Sequence, residues 1–254
     1  MRMTAKMVGI VGFCGLFVAL AVCAEEPASA TNDKPDPKAI VQKAADAISK
    51  LKVVSYDLEY KVSGFFEAFF PNLSGAVVMG KESPDKAKRF FCKLKVQKPG
   101  SSDATEVTAG ADGSTYYLID DKTKTVHADV DPQVFGKNGD PIEFTIPREF
   151  GMQRPFEDAL KSGEMNYVRE EKVDGHDCHV IHFKSTLTAP AMDWYFSKTD
   201  FLPRRTRFTM KDPQSGEGAG EATMRNLKVD PKLDKDPFAL VVPAGYKRTE
   251  DFAP

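Results

Sequence analysis

His176, His179 and His182, with Asp174, Asp177 and Cys178 between them, crowd six potential metal ligands into one short stretch. On an extended strand His176, Cys178 and His182 share a face, and zinc accepts that nitrogen and sulfur set. Against a metal centre, His179 points the other way, His176 adjoins a turn at Asp174-Gly175, and no second ligand group occurs elsewhere in the sequence. The cluster therefore reads as the polar end of a hairpin. Catalysis finds no better footing, because GxSxG, HExxH and a phosphate-cradling glycine loop are all missing and the other histidine, His127, falls within a hairpin strand. The expectation is a binding protein, not an enzyme, with no catalytic residues, no metal and no cofactor.

The elements that would position any site begin after an export signal. Arg2 and Lys6 precede an apolar run from Met7 to Ala24, so residues 1–24 read as a signal peptide, 25–37 as a linker and 38–254 as one domain. A periplasmic location is expected. The alternative is a lipid anchor through Cys23, since Leu20-Ala21-Val22-Cys23 resembles a lipobox, with Val22 in place of the usual small residue. Loss of the signal removes only Arg2 and Lys6 from 35 basic residues and leaves 37 acidic ones, a near balance without the basic stripe that nucleic acid requires. Cys92 and Cys178 then remain, either as a disulfide or as two buried thiols.

Asp36 is placed to cap a helix with Pro37 at its first position, and Ile40, Val41, Ala44, Ala45, Ile48 and Leu51 recur on one helical face. The period then changes to two. Val54, Tyr56, Leu58, Tyr60 and Val62 alternate cleanly, as do Phe90, Cys92, Leu94 and Val96. Further strands are predicted over 73–78, 115–119, 125–130, 167–173, 178–183, 192–196, 204–210 and 221–229, with a short helix near 155–161. Many short antiparallel strands suggest a sandwich or a barrel, and two helices suffice to cover one opening of a strongly curved sheet.

Tyr56, Leu58, Tyr60, Phe90, Leu94, Tyr117, Trp194, Phe196 and Phe208 would line the interior of such a sheet. With about ten strands the enclosed space is wider than side chains readily fill, so an oily, unfilled concave side is expected.

Several segments resemble the outer-membrane lipoprotein carrier superfamily, the LolA/LolB-like proteins. These are the helix running through Leu51 to Ser55 into the first strand; Gly75 to Gly80 with the Pro84 turn and the strand from Phe90; Asp193-Trp194-Tyr195-Phe196 leading to Leu202-Pro203; and Asp236-Pro237-Phe238 to Gly245-Tyr246. The resemblance implies a mainly β (α+β) fold, a half-open antiparallel β-barrel with an N-terminal and a short central helix across its mouth. It also implies a hydrophobic cavity for acyl chains of lipids or lipoproteins, used in transport or sorting across the cell envelope. Ser83 stands where the periplasmic carrier has a basic residue before the turn proline. Envelope-stress regulators share the scaffold, so the rival expectation is a sensor or regulatory module with an envelope protein as partner.

Phe65, Phe66, Phe69 and Phe70 fall at the connection after the first strand. The pairs Phe65/Phe69 and Phe66/Phe70 are spaced for one helical turn. By analogy with the membrane-bound acceptor of the family, they are expected either to contact a membrane or cargo, or to close the core.

Overall fold

The computed structural model describes residues 34–82, 88–132, 146–184 and 191–251. The signal segment, Cys23 and the Ser83-Pro84 turn lie outside them. The first described element is α1 (Pro37–Ser49), whose N-cap Asp36 accepts a hydrogen bond from the Lys38 backbone N–H at 3.0 Å. Pro37 at its first position costs nothing, because its missing donor would be unpaired there. Ile40, Val41, Ala44, Ala45 and Ile48 form its buried stripe.

Among the described residues twelve strands follow, all in one sheet: β1 (Val53–Gly64), β2 (Asn72–Gly80), β3 (Arg89–Gln97), β4 (Ala104–Asp112), β5 (Tyr116–Asp120), β6 (Thr125–Asp129), β7 (Met165–Val173), β8 (His176–Phe183), β9 (Met192–Ser197), β10 (Pro203–Asp212), β11 (Gly216–Val229) and β12 (Lys247–Thr249). Their order is β12-β6-β5-β4-β3-β2-β1-β11-β10-β9-β8-β7, antiparallel throughout except where β12 lies parallel to β6. β7 and β12 stand at opposite margins and do not pair, so the curled sheet stays an unclosed barrel. A short helix, α2 (Glu157–Ser162), and 3-10 turns at Phe65–Ala68 and Arg148–Phe150 complete the described elements.

Register explains why one side is oily. Val54, Tyr56, Leu58 and Tyr60 of β1 stand opposite Met79, Val77, Gly75 and Leu73 of β2. Met79 and Val77 in turn face Phe90 and Cys92 of β3, which face Ala111 and Ala109 of β4. Directly opposed residues share a face and alternate residues change face, so this side is apolar across four strands. Gly75, at φ +148°, brings its Cα against the Lys93 carbonyl, where a Cβ would overlap that oxygen.

The other face carries charge. Arg225 reaches Glu59 at 2.6 Å and Asp174 at 3.1 Å, while Arg205 and Arg169 share Glu171 at 3.1 and 2.6 Å. At the β7 margin the charged run Arg169-Glu170-Glu171-Lys172 follows a bulge between Tyr167 and Arg169.

Two strands escape the alternation rule. β4 places only Val107, Ala109 and Ala111 on the apolar side, too little bulk for a hydrophobic pattern to register. β12 is three residues long and exists through its pairing with β6.

Candidate functional site

The concave face gathers most of the residues expected to line an interior. Tyr56, Leu58, Tyr60, Phe90, Leu94, Trp194 and Phe196 are buried in one continuous core, and Phe208 packs against it half-buried. Tyr117 does not join them. It stands opposite Gly110 and Ala128 on the convex side, in a separate cluster with Val126 and Ala128, and its hydroxyl donates to the Phe238 carbonyl at 3.3 Å. Its neighbours Tyr116 and Leu118 take the concave positions instead. The reason is register: Tyr117 pairs with Gly110, which alternates with the concave Ala109 and Ala111, so Tyr117 takes the opposite face.

The concave side is filled, contrary to the unfilled interior expected from strand number. The stripe of α1 lies in this core together with Phe150 and Phe156. Phe156, in a left-handed conformation (φ 60°) just before α2, sets its ring at 4.9 Å from Trp194, 5.5 Å from Phe196 and 5.8 Å from Phe183. Phe150 lies 5.9 Å from Tyr56. The proline-flanked segment that carries these two rings thus supplies part of the core: the short helix expected near 155–161 is present as α2, with Ala159 and Leu160 packed against that core, whereas Phe150 had no periodic signal.

The cover is held in a particular way. Among the described residues, the hydrogen bonds of α1 stay within the helix and its caps: Gln42 to Asp46, Ser49 to the Asp46 carbonyl, and the terminal backbone bonds. Lys43 lies 5.0 Å over the Phe201 ring. Apolar burial holds this helix to the sheet.

Where the β2 and β3 ends meet the 146–151 segment, a cleft of about 40 Å³ opens. Met79, Phe90 and Ile146 form its apolar part, and Glu82, Lys88, Arg89 and Arg148 its charged rim. Ligand pockets usually measure about 300–1,000 Å³, so this cleft alone does not hold a long chain.

Burial dominates the electrostatics of the interior. It drives the Tyr56 hydroxyl well above its usual range, and the Tyr60 hydroxyl and Cys92 thiol up to about 12. The Tyr56 hydroxyl faces the Met79 sulfur at 3.7 Å. Burial also raises the Glu149 carboxyl and lowers the Lys81 ammonium, whose Nζ donates to the Met152 carbonyl at 2.9 Å.

The four phenylalanines after β1 divide. A 3-10 turn over Phe65–Ala68 buries Phe66 among Phe65, Phe70 and Phe208, with ring centroids 4.7, 5.4 and 5.3 Å away. Phe65 and Phe70 are half-buried against the core, whereas Phe69 is 73% exposed.

The histidine cluster is dispersed by the hairpin β7–β8. His182 Nδ1 lies 2.7 Å from Asp193, Asp174 pairs with Arg225, and Cys178 is buried on the convex side with Val173, Val180 and Tyr195. Among the described residues no group of three or more His, Cys, Asp or Glu could hold a metal ion. Cys92 and Cys178 are free thiols on opposite faces of the sheet.

No family model and no curated protein matches the chain. Solved structures do. LprF from Mycobacterium bovis is 12% identical over 81% of this chain and 98% of its own, with a TM-score of 0.49. The lipoprotein LppX from Mycobacterium tuberculosis is 13% identical over 79% of this chain and 99% of its own, with a TM-score of 0.46. A LolA superfamily protein from Nitrosomonas europaea is 11% identical over 81% and 98%, with a TM-score of 0.24. The half-open barrel implied by the sequence resemblance is the architecture observed, and LolA superfamily proteins are among the solved structures similar to it.

Proposed function

We propose that this chain is an exported binding protein that holds acyl chains of lipids or lipoproteins against the concave face of its sheet, taking them in exchange for the helical cover. The observation that carries the reading is the chemistry of that cover. Ile40, Val41 and Ile48 of α1 contact the sheet side by burial, without a hydrogen bond that a hydrocarbon would have to replace. Burying a methylene is worth about 0.8 kcal/mol and a large aliphatic side chain about 1.5–3 kcal/mol. A sixteen-carbon chain therefore brings on the order of 12 kcal/mol, against roughly 5–9 kcal/mol for re-exposing the three large residues of α1. Apolar surface exchanges for apolar surface, and the longer chain wins.

The same reading gives Phe69 a role. Tied by its backbone N–H to the Phe66 carbonyl at 3.0 Å, it presents an exposed ring that meets a membrane surface or a cargo chain while the acyl chain enters.

Native mass spectrometry of protein purified without detergent tests the main claim, combined with amide exchange in the presence of a long-chain lipid. Co-purified acyl species, and loss of protection in α1 while β1 to β3 keep theirs, are expected. An empty protein whose α1 protection is indifferent to lipid, captured instead with an envelope protein, would favour the regulatory module.

A further inference from the structure

We infer that the cleft between the β2 and β3 ends and the 146–151 segment is a subsite for a carboxylate, so that the amphiphile carried is an acyl chain with a free acid head. This rests on the acyl-binding reading and names the ligand class of that site. Three observations lead to it.

First, the cleft is continuous with the concave face. Met79 and Phe90 stand opposite each other in register, and both belong to the buried core that includes Tyr56, Val77 and Cys92. A chain lying along that face would reach solvent here.

Second, the rim is cationic. Among the described residues, Lys88, Arg89 and Arg148 line the cleft together with one acid, Glu82. Arg89 alternates with Phe90, and its guanidinium turns to the convex side, held by Asp236 at 3.5 Å and 4.6 Å over the Phe238 ring, so the head group is left to Lys88 and Arg148. Arg148 keeps its side chain 71% exposed, with Glu149 at 3.7 Å. Burial raises the pKa of that glutamate, which weakens it as a competitor for the guanidinium. A guanidinium presents paired N–H donors that match a carboxylate.

Third, the size is right for a small head. A volume of about 40 Å³ accommodates roughly three water-sized groups. That is the scale of a carboxylate and little more, and a bulky polar head would have to remain outside.

The test compares laurate with methyl laurate, two ligands of the same chain that differ in charge, by titration against the full mature chain at low and high salt. The acid is expected to bind about fivefold to tenfold more tightly at low salt, and the preference to shrink as salt screens the rim. Arg148→Glu should abolish the preference while leaving ester binding intact, and Arg148→Lys should keep part of it. Equal affinity for acid and ester in the wild type overturns the carboxylate subsite and leaves acyl binding standing. Binding of neither overturns both. A preference that survives Arg148→Glu undiminished overturns the placement at this cleft. Should Arg148→Glu fold poorly, the salt dependence of the wild-type preference decides alone, and a salt-independent preference counts against the subsite.

Discussion

The sheet wears two covers, and they are attached by different physics. On the concave side α1 rests on apolar contacts, its hydrogen bonds among the described residues turned inward on itself. On the convex side, over β5 and β6, the C-terminal segment is stitched in place. Tyr117 donates to the Phe238 carbonyl, Lys124 Nζ donates to the Tyr246 hydroxyl at 2.9 Å, that hydroxyl bonds Asp121, and β12 adds a strand to β6. Directional bonds fix a position, whereas apolar burial fixes only an area. A cover meant to stay is built in the first way, and one that can be exchanged for another apolar body in the second.

The strongest way to break the contrast is to remove the wedge beneath the concave cover. Phe156→Ala deletes a ring packed against Phe183, Trp194 and Phe196 and should cost about 3–5 kcal/mol in denaturant unfolding. A loss below 1 kcal/mol would mean that this part of the cover is not packed as described. On the convex side Tyr246→Phe removes the two hydroxyl contacts and should cost about 1 kcal/mol. Its amide-exchange signature should be confined to β12 and β6, and a response spread into α1 would show the two covers to be coupled. The smallest effect is one of pH. Burial raises the Glu149 carboxyl, so the folded state holds that proton more firmly than the unfolded chain. Stability from this group is fully present below its unfolded pKa and is lost as pH rises through the folded one. Glu149→Gln should therefore raise the melting temperature near neutral pH and have little effect in mild acid. A benefit that is the same at both pH values would rule out this carboxyl as the cause.

Much of the architecture was legible because bulk and parity were. The Asp36-Pro37 start of α1 and the alternation of Val54 to Val62 gave element and face together, since large apolar residues recurred at the right period. Legibility failed where bulk was small or register set the face. Alanines hid β4, and pairing with Gly110 put Tyr117 in the convex cluster while Tyr116 and Leu118 turned inward. Apart from Tyr117, the residues named for the concave lining lie in or against that core, but its filling could not be read. Phe156 belongs to the short helical stretch that the sequence shows and Phe150 to no periodic segment, and nothing local indicates that their rings reach Trp194 and Tyr56. The rim of the cleft was harder still, because Lys88 and Arg148 are brought to it by the fold across a wide gap in sequence.

The bulge and the charged run along β7 have a consequence for life at high concentration. A sheet left unclosed exposes backbone donors and acceptors on its last strand, where a second molecule can add. Placing Arg169, Glu170, Glu171 and Lys172 there, on a strand thrown out of regular pairing after Tyr167, makes such stacking costly. The chain can thereby keep its barrel open without growing into polymers of itself.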